Sequence, residues 1–297
     1  MRKNLLLLAM LAFTTLGFTA CSSGDDEPTN EDVVLPTPDF KDDAIKLRLT
    51  DPVEFNEEFK LTELELTESG HYLIKLEKYR NTEVKATRAA SKSYKYLFDT
   101  FSRIAERIYK LVNFGTVTIQ AKGNGKYTLI LEFNGKSVTV DATLIIANIS
   151  KGKQTSNLCR SWTIESTRIQ IDGEKGFYQE NGCDLNSILT YMKQHASIGD
   201  EVESDQKVKS LIISENGTFA LVYANGNTDK ATWSWASGST TDLTYTWDAS
   251  DMGYTFLNGK AQVALKAVGK ASQLKLFGSV KNKSGETKPV TATILMK

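Results

Sequence analysis

Histidine is almost missing from this chain: 297 residues carry two, His71 and His195. That excludes a three-histidine metal centre, and neither residue stands in a paired ligand motif. Each reads as structural. His71 follows a hairpin glycine on a strand, and His195 lies near a helix C-terminus, where an imidazole interacts well with the dipole. No later stretch of the sequence reaches the roughly 18 apolar residues that a membrane-spanning helix needs. A Gly-x-Ser-x-Gly elbow and a phosphate-binding loop are absent too, which removes two common signatures of hydrolases and nucleotide enzymes. Gly123-Asn124-Gly125-Lys126 is better explained as a hairpin. An excess of either charge is also missing. The chain holds 36 basic and 36 acidic side chains, which argues against a nucleic-acid partner. No motif implies a cofactor.

What is present starts at the N-terminus. Arg2 and Lys3 precede the unbroken apolar run Leu5 to Phe13, and Leu16-Gly17-Phe18-Thr19-Ala20 closes on small residues before Cys21. The run is too short to span a bilayer, which takes about 20 apolar residues. Residues 1–20 resemble the signal of bacterial lipoproteins. The resemblance implies cleavage before Cys21 and lipidation of its thiol, and two or more acyl chains hold a protein to a membrane stably. Residues 21–43 follow with eight acidic residues, one lysine and three of the chain's five prolines. Such a segment buries too little apolar surface to fold and is expected to be an extended tether. Its start, Ser22-Ser23-Gly24-Asp25-Asp26-Glu27-Pro28, resembles the acidic sequence behind the lipidated cysteine of surface-displayed lipoproteins in Gram-negative gut anaerobes. The implied partner is the outer membrane, held through the lipid anchor. The body would face the cell exterior or, alternatively, the periplasm.

Residues 44–297 are long for one small domain and suit two. They read mainly as antiparallel β-strands. Asn-Gly is the preferred dipeptide of two-residue hairpin turns. It occurs at Asn124-Gly125, Asn134-Gly135, Asn216-Gly217, Asn225-Gly226 and Asn258-Gly259, each beside strand-like runs. Turns about ten residues apart make a meander. Two helices are expected to interrupt it. From about Ser93 to Val112, Leu97, Phe98, Phe101, Ile104, Ile108 and Leu111 recur at three- and four-residue steps. From Asp184 to about His195, Asp184 caps a helix whose buried stripe is Leu185, Ile188, Leu189 and Met192. The polar stretch Ser150 to Ser156 shows no periodicity and marks a boundary. The expected fold is thus mainly β, with an α+β domain carrying one long helix over 44–150 and an antiparallel barrel over 157–297. Leu64 to Tyr72 is spaced like Leu211 to Phe219, strand, tight turn, strand, which reads as shared hairpin grammar.

From Cys159 onward the order is Trp162 in a first strand, the hairpin Ile213-Ser214-Glu215-Asn216-Gly217-Thr218-Phe219, then Ala231-Thr232-Trp233-Ser234-Trp235. This resembles the lipocalin-like domain of bacterial lipoproteins, over a little under half of the chain. Arg160-Ser161 stand before Trp162, where true lipocalins carry Gly-x-Trp. The resemblance implies a closed or nearly closed barrel with no catalytic residues, its interior filled by side chains or holding one small ligand.

Candidate sites are few. Trp233 and Trp235, two apart on a strand, point to one face. With Trp247 they form the candidate site for a small hydrophobic or glycan-like ligand, barrel core being the alternative. Cys159 and Cys183 either form a bridge closing a 25-residue loop, worth about 3 kcal/mol by chain entropy, or stay separate as buried thiols. Glu63 and Glu65 share a strand face, as two glycosidase carboxylates do, though such neighbours more often simply face water. Asp200, Glu201, Glu203 and Asp205 offer calcium-type oxygen ligands without the EF-hand spacing, and no metal is expected. Lys78 to Lys110 carries nine basic residues against three acidic ones. That is either a surface for anionic headgroups and glycans or an ordinary solvated face. The reading is a membrane-anchored envelope lipoprotein serving as a non-catalytic binding module. The alternative is an accessory lipoprotein that contacts another envelope protein, and a hydrolase is the remote third.

Overall fold

The computed structural model describes residues 33–79, 94–197, 207–248 and 257–297. Cys21, the signal, the start of the tether, the acidic loop Asp200–Asp205 and residues 80–93 lie outside the described residues.

Alternation of apolar and polar residues along short strands builds the first barrel. β1 (Ile45–Glu54), β2 (Phe59–Leu66), β3 (His71–Lys78), β4 (Tyr94–Ala105), β5 (Ile108–Leu111), β6 (Gly115–Gly123), β7 (Lys126–Phe133) and β8 (Lys136–Leu144) pair in that order. All neighbours run antiparallel, and β1 closes on β8 through Leu47↔Leu144, Arg48↔Thr143 and Leu49↔Ala142. Leu47, Leu64, Ile74, Val117, Leu129 and Leu131 fill the interior at zero exposure. Each such side chain contributes about 1.5–3 kcal/mol by leaving water. Phe114 stacks on Phe133 at 5.0 Å between ring centroids and completes the filling.

The expected α+β character of this domain is overturned. The described part of the expected helix, from Tyr94 on, is β4 and β5, joined by a tight turn at which Arg107 has φ 56°. Both faces of the first half of β4 are covered. Leu97 and Phe101 pack into the barrel interior, while Tyr94, Tyr96 and Phe98 pack outward against the second domain. Apolar residues at both parities of a strand imitate the three- and four-residue steps of a helix. The aromatic content of the segment favoured the strand. The basic residues here therefore form no helical face. Lys95 lies over the Phe59 ring at 4.3 Å and Arg103 pairs with Asp43 at 2.8 Å.

The boundary stretch is also more ordered than its polarity suggests, holding helix α1 (Lys153–Leu158). The second barrel follows. Its strands are β9 (Ser161–Ile171), β10 (Tyr178–Asn181), β11 (Val208–Ile213), β12 (Thr218–Tyr223), β13 (Thr228–Trp235), β14 (Asp242–Trp247), β15 (Leu257–Ala264), β16 (Ser272–Lys281) and β17 (Thr287–Met296). β17 returns to β9 and closes an eight-strand circuit, while short β10 extends the β11 side of β9. Next-neighbour order around a closed antiparallel circuit is the lipocalin-like arrangement. Helix α2 (Leu185–His195) lies where the sequence places it. The Asp184 carboxylate accepts from the Asn186 and Ser187 amides, and Leu185, Ile188 and Met192 join the barrel core. The tether ends early: Val33 is buried in that same core, and Asn157 brackets the backbone by donating to the Val33 carbonyl and accepting from the Leu35 amide.

Setting β10 aside, the second barrel repeats the first strand for strand. The hairpins β2–β3 and β11–β12 occupy equivalent places, and these are the two segments that echo one another in sequence. Their tips match bond for bond. The Thr67 amide donates to His71 and Gly70 to Thr67, as Ser214 does to Thr218 and Gly217 to Ser214.

The Asn-Gly pairs divide by conformation. Asn124-Gly125 and Asn134-Gly135 have positive φ at both residues, the two-residue hairpin geometry. Asn258-Gly259 is no hairpin. It lies inside β15 at a register shift, with Gly259 at φ 76° and a Cβ there 2.6 Å from the Tyr245 carbonyl oxygen. Gly226 has φ 83° and open space around it. We expect Gly226→Ala to cost roughly 1–2 kcal/mol from backbone conformation alone, and Gly259→Ala to cost about 2 kcal/mol more through the clash. Urea midpoints of the two variants check this; equal losses would contradict the bulge.

Candidate functional site

The outer walls of the two barrels meet, and this buries β12 and the end of β11 on both sides. Every residue of β12 is buried. Phe219, Leu221 and Tyr223 face the interior, while Ala220 and Val222, with Ile212 of β11, face outward onto Leu73 and Tyr96 of the first barrel. The equivalent hairpin tips then dock on each other through polar groups. Lys46 Nζ lies 3.4 Å from Glu65 Oε2 and donates to Thr218 Oγ1 at 3.0 Å, and that hydroxyl donates to Glu65 at 2.6 Å. Glu68 accepts from the Glu215 amide at 2.8 Å and from Ser214 Oγ at 3.4 Å. Asn216 Nδ2 donates to the Leu66 carbonyl at 3.3 Å. Glu68 and Glu215 stand at the same place in the two echoing hairpins, but the contact is one-sided: the Glu215 carboxylate accepts from Ser156 instead. Farther along, Tyr96 donates to Asp248 at 2.5 Å, and Lys230 binds the same oxygen at 2.8 Å.

Between these contacts the walls part and enclose a cleft of about 630 Å³. Its first wall carries Lys46, Arg48, Glu63, Lys75 and Tyr94. Its second carries the outward row Lys230, Thr232, Ser234 of β13 and Thr244, Thr246, Asp248 of β14. Cross-strand register sets Thr232 opposite Thr246 and Ser234 opposite Thr244, with the latter hydroxyls 3.2 Å apart. The connecting segment 145–148 runs along the rim, anchored by the Ile145 amide on the Lys46 carbonyl. Ile146 on this rim is 82% exposed.

The tryptophans lie elsewhere in character. Trp233 is 2% exposed, donates from its indole to the Ser214 carbonyl, and backs the cleft from the barrel interior. Trp235 packs edge-on against it at 5.4 Å and donates to Thr155 Oγ1. Trp247 is half-buried against Phe219 and Tyr245. All three thus pack in or against the core of the second barrel, and Trp233 also lines the cleft. No bridge joins Cys159 and Cys183, which sit as free buried thiols in the second core. Burial raises both thiols, Cys183 to about 12, so neither presents a thiolate nucleophile near neutral pH. Glu63 and Glu65 do share the outer face, each held by a cation, Arg48 at 3.0 Å and Lys46 at 3.4 Å. His71 accepts or donates to Ser69 through Nδ1 and stacks on Phe98, and burial lowers its pKa. His195 lies 3.4 Å from Glu174. Among the described residues no group of three or more His, Cys, Asp or Glu is placed to hold a metal ion, and no helix is long and apolar enough to cross a membrane.

No family model matches the chain, and no curated protein matches it. Among solved structures it is similar to a crystal structure of a protein of unknown function from the DUF3598 family of Nostoc punctiforme. That similarity is 9% identity over 86% of this chain and 93% of that one, with a TM-score of 0.21. The barrel assignment rests on the strand pairing described above.

Sequence reasoning missed Lys46, Glu68, Thr218 and the hydroxyl row of β13 and β14. One signal was there. Leu211-Ile212-Ile213 and Phe219 to Tyr223 are apolar at both parities, which marks strands covered on both faces.

Glu68 gives the clasp a pH dependence. Burial foremost, with the nearby charge of Glu65, pushes its carboxyl from 4.5 to about 7, against the pull of the Glu215 amide and Ser214 hydroxyl. Lys46 is engaged with Glu65, and Lys41 with Ser156 and Glu215, so neither cation is committed to Glu68. Between these pH values the folded state holds a proton that the unfolded chain releases. This contribution to stability is therefore full below pH 4.5 and falls as pH rises through 7, by about 3 kcal/mol at most. Glu68→Gln should gain on wild type steadily between these limits in urea titrations. A pH-independent difference would show that Glu68 is not held this way.

Proposed function

We propose that this chain is a lipid-anchored envelope protein that works as a non-catalytic binding module, with its ligand in the cleft between the two barrels. The observation that carries the reading is the placement of open volume. Both barrel interiors are packed with side chains, as eight-strand barrels allow. The cleft, at about 630 Å³, lies within the 300–1,000 Å³ range usual for ligand sites. Docking of the two walls creates it, which gives the doubled fold a use that one barrel lacks. The anchor enters through Cys21 and its preceding signal, and the acidic tether would hold the body off the outer membrane.

An accessory contact with another envelope protein is the second reading. One observation favours it. β1 and β8 stay paired only over three residues and then part around a slot of about 650 Å³ lined by Thr50 to Glu54 and Lys136 to Asp141. Strand edges that open in this way accept added strands.

Two experiments test the proposal. Globomycin treatment is expected to leave the chain as a larger, uncleaved precursor still held in the membrane, and Cys21→Ser to abolish incorporation of radiolabelled palmitate; unchanged processing under globomycin, or label retained by Cys21→Ser, would remove the anchor. Thr244→Trp fills the cleft from an exposed strand position outside both cores. Native mass spectrometry of gently purified protein is expected to show a small co-purifying ligand that this variant lacks. A ligand retained by the variant binds elsewhere.

A further inference from the structure

Each cation that lines the cleft already has a carboxylate. Lys46 pairs with Glu65 at 3.4 Å, Arg48 with Glu63 at 3.0 Å, Lys75 with Glu77 at 3.4 Å and Lys230 with Asp248 at 2.8 Å. An anionic ligand would have to take a cation from one of these pairs and strand its partner, and for the buried Glu65 that is costly. An apolar ligand fares no better, because it would cover hydroxyls and ions without returning hydrogen bonds. What remains is a ligand that is uncharged yet both donates and accepts along its length.

The opposite wall has the matching pattern. Thr232, Ser234, Thr244 and Thr246 form a two-by-two grid of hydroxyls on adjacent strands, bounded at one end by the Lys230–Asp248 pair. Arg48, with its side chain 64% exposed, and Glu63 face it from the first barrel. Donor and acceptor side by side on each wall is the arrangement that vicinal hydroxyls of a sugar satisfy. Exposed Ile146 on the rim offers an apolar contact for the C–H face of a ring.

We propose that the cleft binds a short stretch of neutral carbohydrate. This rests on the cleft being the ligand site, and the test separates the two claims. The full mature chain in detergent is run in affinity gels containing neutral polysaccharides (dextran, mannan, xylan), anionic ones (polygalacturonate, heparin), and titrated separately with the fluorescent fatty acid cis-parinaric acid. The expected result is retardation by a neutral polysaccharide that is insensitive to salt between about 50 and 500 mM, since no charge is screened. Replacing Thr232, Thr244 and Thr246 together by Val should weaken it about tenfold or more, and Thr244→Trp should abolish it. Binding confined to polygalacturonate, heparin or the fatty acid, and lost in Thr244→Trp, overturns the neutral-carbohydrate proposal while leaving the cleft as the site. Binding that survives Thr244→Trp, or no binding to any probe, overturns both.

Discussion

The contact between the two hairpin tips carries the rest of this architecture. Lys46 and Glu65 are charged groups taken out of water, Glu68 is a carboxyl that burial pushes up to about 7, and Thr218 and Ser214 are buried hydroxyls. Such groups are costly to bury without partners, and one oxygen of each carboxyl is met here while Glu65 Oε1 and Glu68 Oε2 are not. Here the partners come from the other barrel. Lys46 and Glu65 belong to the first, Thr218 to the second, and the three close a triangle of contacts of 3.4 Å or less. The apolar patch beside it, Leu73 and Tyr96 against Ile212, Ala220 and Val222, supplies the attraction. The polar tips fix its register, because a shifted docking would leave ions and hydroxyls buried without partners.

Two features follow from that docking. The first is the placement of function. Eight antiparallel strands enclose little more than their own inward side chains, and large rings fill both interiors in this chain. The space of about 630 Å³ proposed for a ligand lies between the barrels instead, where their walls diverge from the line of contact. The second is the relation between the barrels. Each contributes the same hairpin and the adjoining strand to the interface, β3 and β4 from one, β12 and β13 from the other. Equivalent strands of the two barrels thus face each other.

The strands of the second barrel, its capped helix and its lipocalin-like order were legible because β9 and β14 to β17 keep an alternating pattern with turn residues between, and the apolar runs of β11 and β12 are set off by the Asn216-Gly217 and Asn225-Gly226 turns. The first barrel was misread at Tyr94 to Leu111. A strand covered on one side by its own barrel and on the other by a neighbouring one loses its period of two, and what survives fits a helix as well. The site was hidden for the same reason. Which of Lys46, Arg48, Glu63 or Thr232 faces a neighbour depends on how two walls approach each other, and a local pattern does not encode that. Trp233 and Trp235 drew attention through their chemistry, but strand parity turns them inward. Ser234 between them, and Thr244 opposite Ser234, line the open space.

The most direct measurement is a double-mutant cycle across the clasp, with Lys46→Met and Thr218→Val made singly and together and unfolded in urea. Docked barrels predict a coupling of about 1 kcal/mol or more between residues that no single barrel contains. Losses that add within about 0.3–0.5 kcal/mol would mean that the walls do not meet there, and the cleft would have no basis.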